Sequence, residues 1–139
     1  MAEEKTRNQL QYVAFTVVFD ILTRISLASE IDVKSLVSDA ESLPYEECDL
    51  FVKEVAIETI KHINDATKAL NENMERWTID RRNRTIQAIL ILSYIHFYYV
   101  DTAVDKKVVI DIAIRLSKTY GDDRDYKFVN AVLDKALQR

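Results

Sequence analysis

His62, His96 and Cys48 are the side chains best suited to metal or nucleophilic chemistry, and none stands where that chemistry needs it. Neither histidine has a second histidine or a cysteine at metal-ligand spacing. His62 falls on a charged helical face and reads as solvated. Cys48 lies among Glu46, Glu47 and Asp49. Acidic neighbours raise a thiol pKa, whereas a nucleophile needs it lowered. A phosphate-cradling loop needs several glycines, and the chain has one. Adjacent acidic residues point about 100° apart on a helix, so the Glu-Glu and Asp-Asp pairs read as solvated surface. No enzyme, metal or cofactor is expected.

Basic residues offer a different chemistry. Arg76, Arg81, Arg82 and Arg84 crowd one helix entry, and Lys106 and Lys107 open another helix. Lys118, Arg124 and Lys127 surround the turn into the last helix, where free N–H groups also attract anions. Such a cluster can hold a phosphate backbone, with Tyr126 or Phe128 available for base stacking. Phe128 also reads as a core residue. Asn130 sits beside the apolar positions Phe128, Val129, Val132, Leu133, Ala136 and Leu137. A buried amide needs partners, so Asn130 is expected to bond backbone at a helix end and fix how the last helix docks.

The elements that must position these groups read as helices. Leu10, Val13, Ala14, Val17, Val18, Ile21, Leu22 and Ile25 form one apolar stripe, predicting a helix over about Lys5–Leu27. A short second helix follows, with Asp32 as N-cap. Pro44 is placed near the first turn of a third helix, which buries Phe51, Val52, Val55, Ala56, Ile60 and Ile63. A polar stretch over Asp65–Arg76 predicts a fourth, and Trp77 marks a joint. The fifth, about Asp80–Val100, is apolar nearly all round and must be surrounded. The sixth runs from Asp105 to Tyr120 and ends at Gly121, expected as a left-handed C-cap. The seventh starts at Asp125. The sequence thus predicts an all-α fold of about seven helices in a single domain, residues 1–139, with helical halves of about 1–76 and 77–139.

Bulk properties agree. Gly 1 and Pro 1 disfavour a turn-rich β fold. The longest nearly uncharged run, TIQAILILSYIHFYYV, has 16 residues, short of the ~20 a membrane span needs. One cysteine suggests a reducing compartment, and the N-terminus shows no secretory signal; a cytoplasmic location is expected. Net charge is −4, but residues 1–75 hold 7 basic and 15 acidic side chains (−8), and residues 76–139 hold 12 and 8 (+4). That split either gives one basic face or attracts the halves to each other.

The stretch KVVIDIAIRLSKTYGDDRDYKFVNAVLDK resembles the C-terminal signature of the NusB family of transcription antitermination factors. Lys107, Val108, Ile110, Ala113, Leu116, Lys118, Tyr120 and Gly121 match in register, as do Lys127 to Asn130 and Val132 to Lys135. WTIDR, with Trp77 and Arg81, resembles a second family motif. The resemblance implies two three-helix subdomains around a long central helix. It implies binding of single-stranded boxA-like RNA in nascent ribosomal transcripts. It also implies a small-subunit ribosomal protein acting as NusE as partner, within an RNA polymerase antitermination complex. The expected RNA-binding set is Lys5, Arg7, Arg81, Lys118, Arg124, Lys127 and Phe128. The expected partner-facing set is Phe19, His96 and Tyr99, and the structural set is Trp77, Gly121 and Asn130.

Departures from the family pattern are specific. The arginine-rich start is reduced to Lys5 and Arg7, with Asn8, Gln9 and Gln11 near the other basic places. His96 stands where the family has a partner-facing glutamate. Arg124 adds charge in a turn the family makes acidic. An alternative reading is a divergent interaction module, without boxA specificity, whose tyrosine-rich YIHFYYV stretch buries against a partner or a second copy as a weak homodimer.

Overall fold

A computed structural model describes residues 5–75 and 78–139, so Trp77 and Arg76 lie outside the described residues. Helix starts are set by side chains that accept from otherwise unpaired backbone N–H groups. Thr6 and Gln9 form a reciprocal capping box at the head of α1 (Arg7–Ser26). Asp32 caps α2 (Val33–Glu41) through Ser35 N–H, as expected. Asp49 caps α3 (Leu50–Glu72), Asn83 caps α4 (Arg84–Ile95) and Asp105 caps α5 (Lys106–Tyr120). The last helix, α6 (Asp125–Ala136), has no side-chain cap. Short 3-10 turns occupy Tyr45–Glu47 and Ile79–Arg81. Pro44 precedes the first of these rather than opening α3.

The described residues thus form six helices and no strand. The separate fourth helix expected over Asp65–Arg76 is absent: its residues up to Glu72 continue α3. The buried positions Val52, Val55, Ala56, Thr59, Ala66 and Leu70 keep one helical phase, and no glycine or proline interrupts them. The fifth expected helix starts later, at the Asn83 cap, and finishes in a π-helical turn, His96–Val100.

Helix α4 is the axis of the molecule. Ala88 through Ser93 and Ile95 are all buried on it, enclosed by α1, α3, α5 and α6. This accounts for a helix with no polar face. A larger core surrounds α4, and a smaller one joins Val17 and Ile21 of α1, Leu36 and Val37 of α2, Cys48, and Val52 and Ala56 of α3. Helices α1 and α3 serve both. Ala14 and Val18 of α1 turn to the larger core, Val17 and Ile21 to the smaller.

Two local expectations are corrected. Gly121 is extended, with φ −104° and ψ −173°, not left-handed. Its requirement is space: a Cβ there would lie 2.7 Å from Asp125 Oδ2 and 2.8 Å from Ser117 O. The carboxylate in that space accepts from Asp122 N–H at 2.7 Å and holds the turn into α6. Asn130 is exposed rather than buried. It lines a shallow groove between α5 and α6, because Val129 and Val132–Leu133 turn inward and leave it on the opposite side.

Candidate nucleic-acid interface

Side chains of α1 and α5 meet along one face of the molecule, although the two stretches lie more than a hundred residues apart. Arg115 donates from Nη1 to Asn8 Oδ1 at 2.9 Å and to Gln11 Oε1 at 3.2 Å. Tyr12 and Thr119 hydroxyls lie 3.4 Å apart. The Tyr120 ring stacks on Phe15, centroids 4.9 Å apart, and meets Tyr12 edge-on at 5.8 Å. Lys118 follows Arg115 by three positions, so both lie on one side of α5. The Lys118 ammonium stands 4.8 Å from the Tyr126 ring centroid, which carries the face onto the first turn of α6. Arg124 and Lys127 are exposed there. Arg7, Arg115, Lys118, Arg124 and Lys127 therefore form a cationic ribbon over α1, α5 and α6. Among the described residues none of the five has an ion-pair partner. Asp122, Asp123 and Asp125 interrupt the ribbon and moderate its potential.

Two residues of the expected RNA set, Lys5 and Phe128, have partners outside it. Lys5 donates to Glu41 O at 2.9 Å and tethers the head of α1 to the end of α2. Arg81 is exposed in the 3-10 turn before α4. Phe128 is half-buried against the larger core, with the Arg82 guanidinium 3.7 Å over its ring. It stands two positions after Tyr126, about 200° around α6, so the two rings face opposite sides. Arg115 was not singled out from the sequence. Its spacing to Lys118 was legible there, but the Asn8 and Gln11 amides that hold it are visible only in the fold.

Next to the ribbon, a groove of about 680 Å³ opens between the head of α1 and α5. Arg7, Asn8 and Gln11 line one wall, Val108, Asp111 and Arg115 the other, and His96 and Phe51 also contribute. His96 is buried, its ring edge-on to Phe51 at 5.0 Å. Burial pushes its pKa below the ordinary value, against a smaller upward pull from Asp101, and Arg7 adds to the lowering. The other partner-facing expectations lie elsewhere. Phe19 lines a shallow depression with Phe15, Thr85 and Tyr120. Thr85 and His96 are eleven residues apart, roughly 16 Å along the helix axis at its usual rise. Tyr99 lies flat on His62, ring centroids 3.8 Å apart. His62, expected as solvated, is half-buried between Glu58 at 3.2 Å and Asp65 at 3.7 Å. Phe19, His96 and Tyr99 therefore do not form one patch.

The tyrosines expected to mediate self-association are largely engaged within the chain. Tyr98 donates to Ala136 O at 2.8 Å and accepts from Gln138 N–H at 2.9 Å. Tyr94 packs on Tyr98 with centroids 4.5 Å apart. Cys48 is buried, and burial together with Glu41 pushes its thiol pKa up, the direction of an unreactive thiol. Among the described residues no group of three His, Cys, Asp or Glu side chains is arranged to hold a metal, and no helix is long and apolar enough to cross a membrane.

Comparison with known proteins places this geometry in a family. The NusB family matches over residues 8–138. A transcription antitermination protein NusB of Treponema denticola is 48% identical over 86 residues, 61% of this chain and 62% of that protein, so the match spans about three fifths of that relative. The protein of the same name from Oceanobacillus iheyensis is 30% identical over 132 residues, 94% of this chain and 98% of that one. Among solved structures, Thermotoga maritima NusB superposes with a TM-score of 0.76 at 22% identity, covering 97% of this chain and 92% of that one. A structure of the antitermination factors NusB and NusE in complex with double-stranded RNA gives 0.75 at 20% identity, covering 94% and 95%. At such identities these two structures establish the fold.

Proposed function

Because the chain belongs to the NusB family, we propose that it is an RNA-binding transcription antitermination factor. In this reading it takes boxA-like single-stranded RNA of nascent ribosomal transcripts, acts together with a small-subunit ribosomal protein in the role of NusE, and joins an RNA polymerase complex. The relatives named above are transcription antitermination proteins. The observation that carries the reading is the ribbon Arg7–Arg115–Lys118–Arg124–Lys127, five cations without ion-pair partners among the described residues, in a chain whose net charge is −4. A chain of that sign binds polyanions only through a local concentration of positive charge.

Two features bear on how the ribbon works. Asn8 and Gln11, near the places that the resemblance makes basic, hold the Arg115 guanidinium and fix its direction, so placement offsets part of the reduced charge. Asp122 and Asp123 keep the local potential modest. The protein alone therefore binds weakly, and the ribosomal partner supplies the remaining affinity. The partner docks over the groove that His96 helps to line, where Val108 is 48% exposed and Arg7 and Asp111 stand on opposite walls. Co-elution on size-exclusion chromatography tests this. A ternary complex of protein, ribosomal partner and boxA-like RNA is expected at micromolar concentration. Absence of any complex at tens of micromolar, where even ~6–7 kcal/mol of binding registers, removes the antitermination reading.

A further inference from the structure

We propose that Lys118 and Tyr126 form a preformed seat for one nucleotide of a single-stranded RNA, the tyrosine ring taking an unpaired base and the lysine its phosphate. The inference rests on the RNA-binding reading above and assigns a residue to it. Aromatic side chains normally bury their area in a core. Tyr126 does not: it packs into neither of the two core clusters, meets no other aromatic ring among the described residues, and is half-exposed on the first turn of α6. Its ring neighbour is the Lys118 ammonium, 4.8 Å from the centroid. Arg124 and Lys127, both exposed, flank it in sequence.

Phe128 provides the contrast. It is packed against the larger core, and its outer ring face carries the Arg82 guanidinium at 3.7 Å. Its ring is thus engaged by the core and by the guanidinium. Of these two half-exposed aromatic residues at the start of α6, Tyr126 is the one that packs into neither core.

The lysine makes the seat work in two states. Without RNA its ammonium keeps company with the ring, an exposed cation–π contact of modest strength. A base stacking on the ring displaces it, and four methylenes let the charge swing to the adjoining phosphate. One side chain thus holds the ring ready and then neutralises the backbone. Stacking tolerates any base, so the seat contributes affinity and register rather than sequence choice.

Fluorescence titration of a labelled single-stranded boxA-like RNA tests the proposal at two salt concentrations. Tyr126→Leu should weaken binding roughly tenfold with the salt slope unchanged, and Tyr126→Phe should bind like the unaltered protein. Lys118→Ala should flatten the slope by about 0.7. Annealing the RNA to its complement, or placing an abasic site at one position, should erase the difference between Tyr126→Leu and the unaltered protein. Melting curves of both Tyr126 variants should match, since neither core includes the ring. Equal binding by Tyr126→Leu, or a loss that persists on the duplex and on every abasic strand, overturns the seat while leaving RNA binding intact. No binding by the unaltered protein at low salt overturns both this proposal and the reading beneath it.

Discussion

Replacing Gly121 by alanine tests the turn that presents Arg124. The backbone there is extended, so a side chain meets no φ penalty. The difficulty is contact: the new Cβ lies 2.7 Å from Asp125 Oδ2 and 2.8 Å from Ser117 O. The carboxylate can swing away, but then Asp122 N–H loses its acceptor, at about 1 kcal/mol. Ser117 O belongs to the last turn of α5, where it accepts from Gly121 N–H at 2.8 Å, and it cannot withdraw alone. Forced overpacking of this kind costs ~1–3 kcal/mol. Restricting the unfolded chain returns ~0.4–1 kcal/mol. The net expectation is about 1–2 kcal/mol of destabilisation, or roughly 3–7 °C in Tm at this chain length. Thermal denaturation followed by circular dichroism reads it. Gly121→Asn separates contact from conformation. A crowded extended site makes asparagine worse than alanine, whereas a left-handed site makes it better. In the double variant with Asp125→Ala the losses should fall short of the sum, because the carboxylate is part of both. An asparagine variant more stable than the alanine one would refute the contact argument.

Two further outcomes follow from burial. His96 has a folded-state pKa below its unfolded value, so its contribution to stability is present above the usual 6.5 and is lost as pH falls through the lowered value. His96→Gln should flatten that acid limb of the stability curve, and an unchanged limb would remove His96 as its source. Asn130→Leu, at an exposed position, should change stability by within about 0.5 kcal/mol in urea denaturation; a loss of 2 kcal/mol would mean the amide is bonded after all.

Most of the fold was legible because it is local. Asp32 and Asp105 read as helix starts from residue type alone, and both cap as expected. The all-round apolar run through Ala88–Ile95 announced a surrounded helix and became the axis. Errors arose where polarity was read as a break, or where a role depends on a distant neighbour. The polar surface of Asp65–Glu72 hid an unbroken inward phase at Ala66 and Leu70. Gly121 was given a conformational role when its role is room for an aspartate four residues on. Asn130 follows buried Val129 in sequence but points away from it. The candidate site was half legible. Lys118, Arg124 and Lys127 were named from charge. Arg115 was not, because the amides that orient it are more than a hundred residues away, and Phe128 could not be told from Tyr126 without knowing that Arg82 covers one of them.

The central claim is that the ribbon over α1, α5 and α6 binds RNA through phosphate contacts. Its most direct test is the salt dependence of RNA affinity, with the ribosomal partner present, for the unaltered protein and for Arg124→Glu/Lys127→Glu. Both positions are exposed, so the variant should keep its fold and melt within a few degrees of the unaltered protein. The account predicts that binding collapses at moderate salt, and that any residual low-salt binding has a slope shallower by about 1.4, two single-strand phosphate contacts. An affinity and a slope that match the unaltered protein would contradict it and place the RNA on another face.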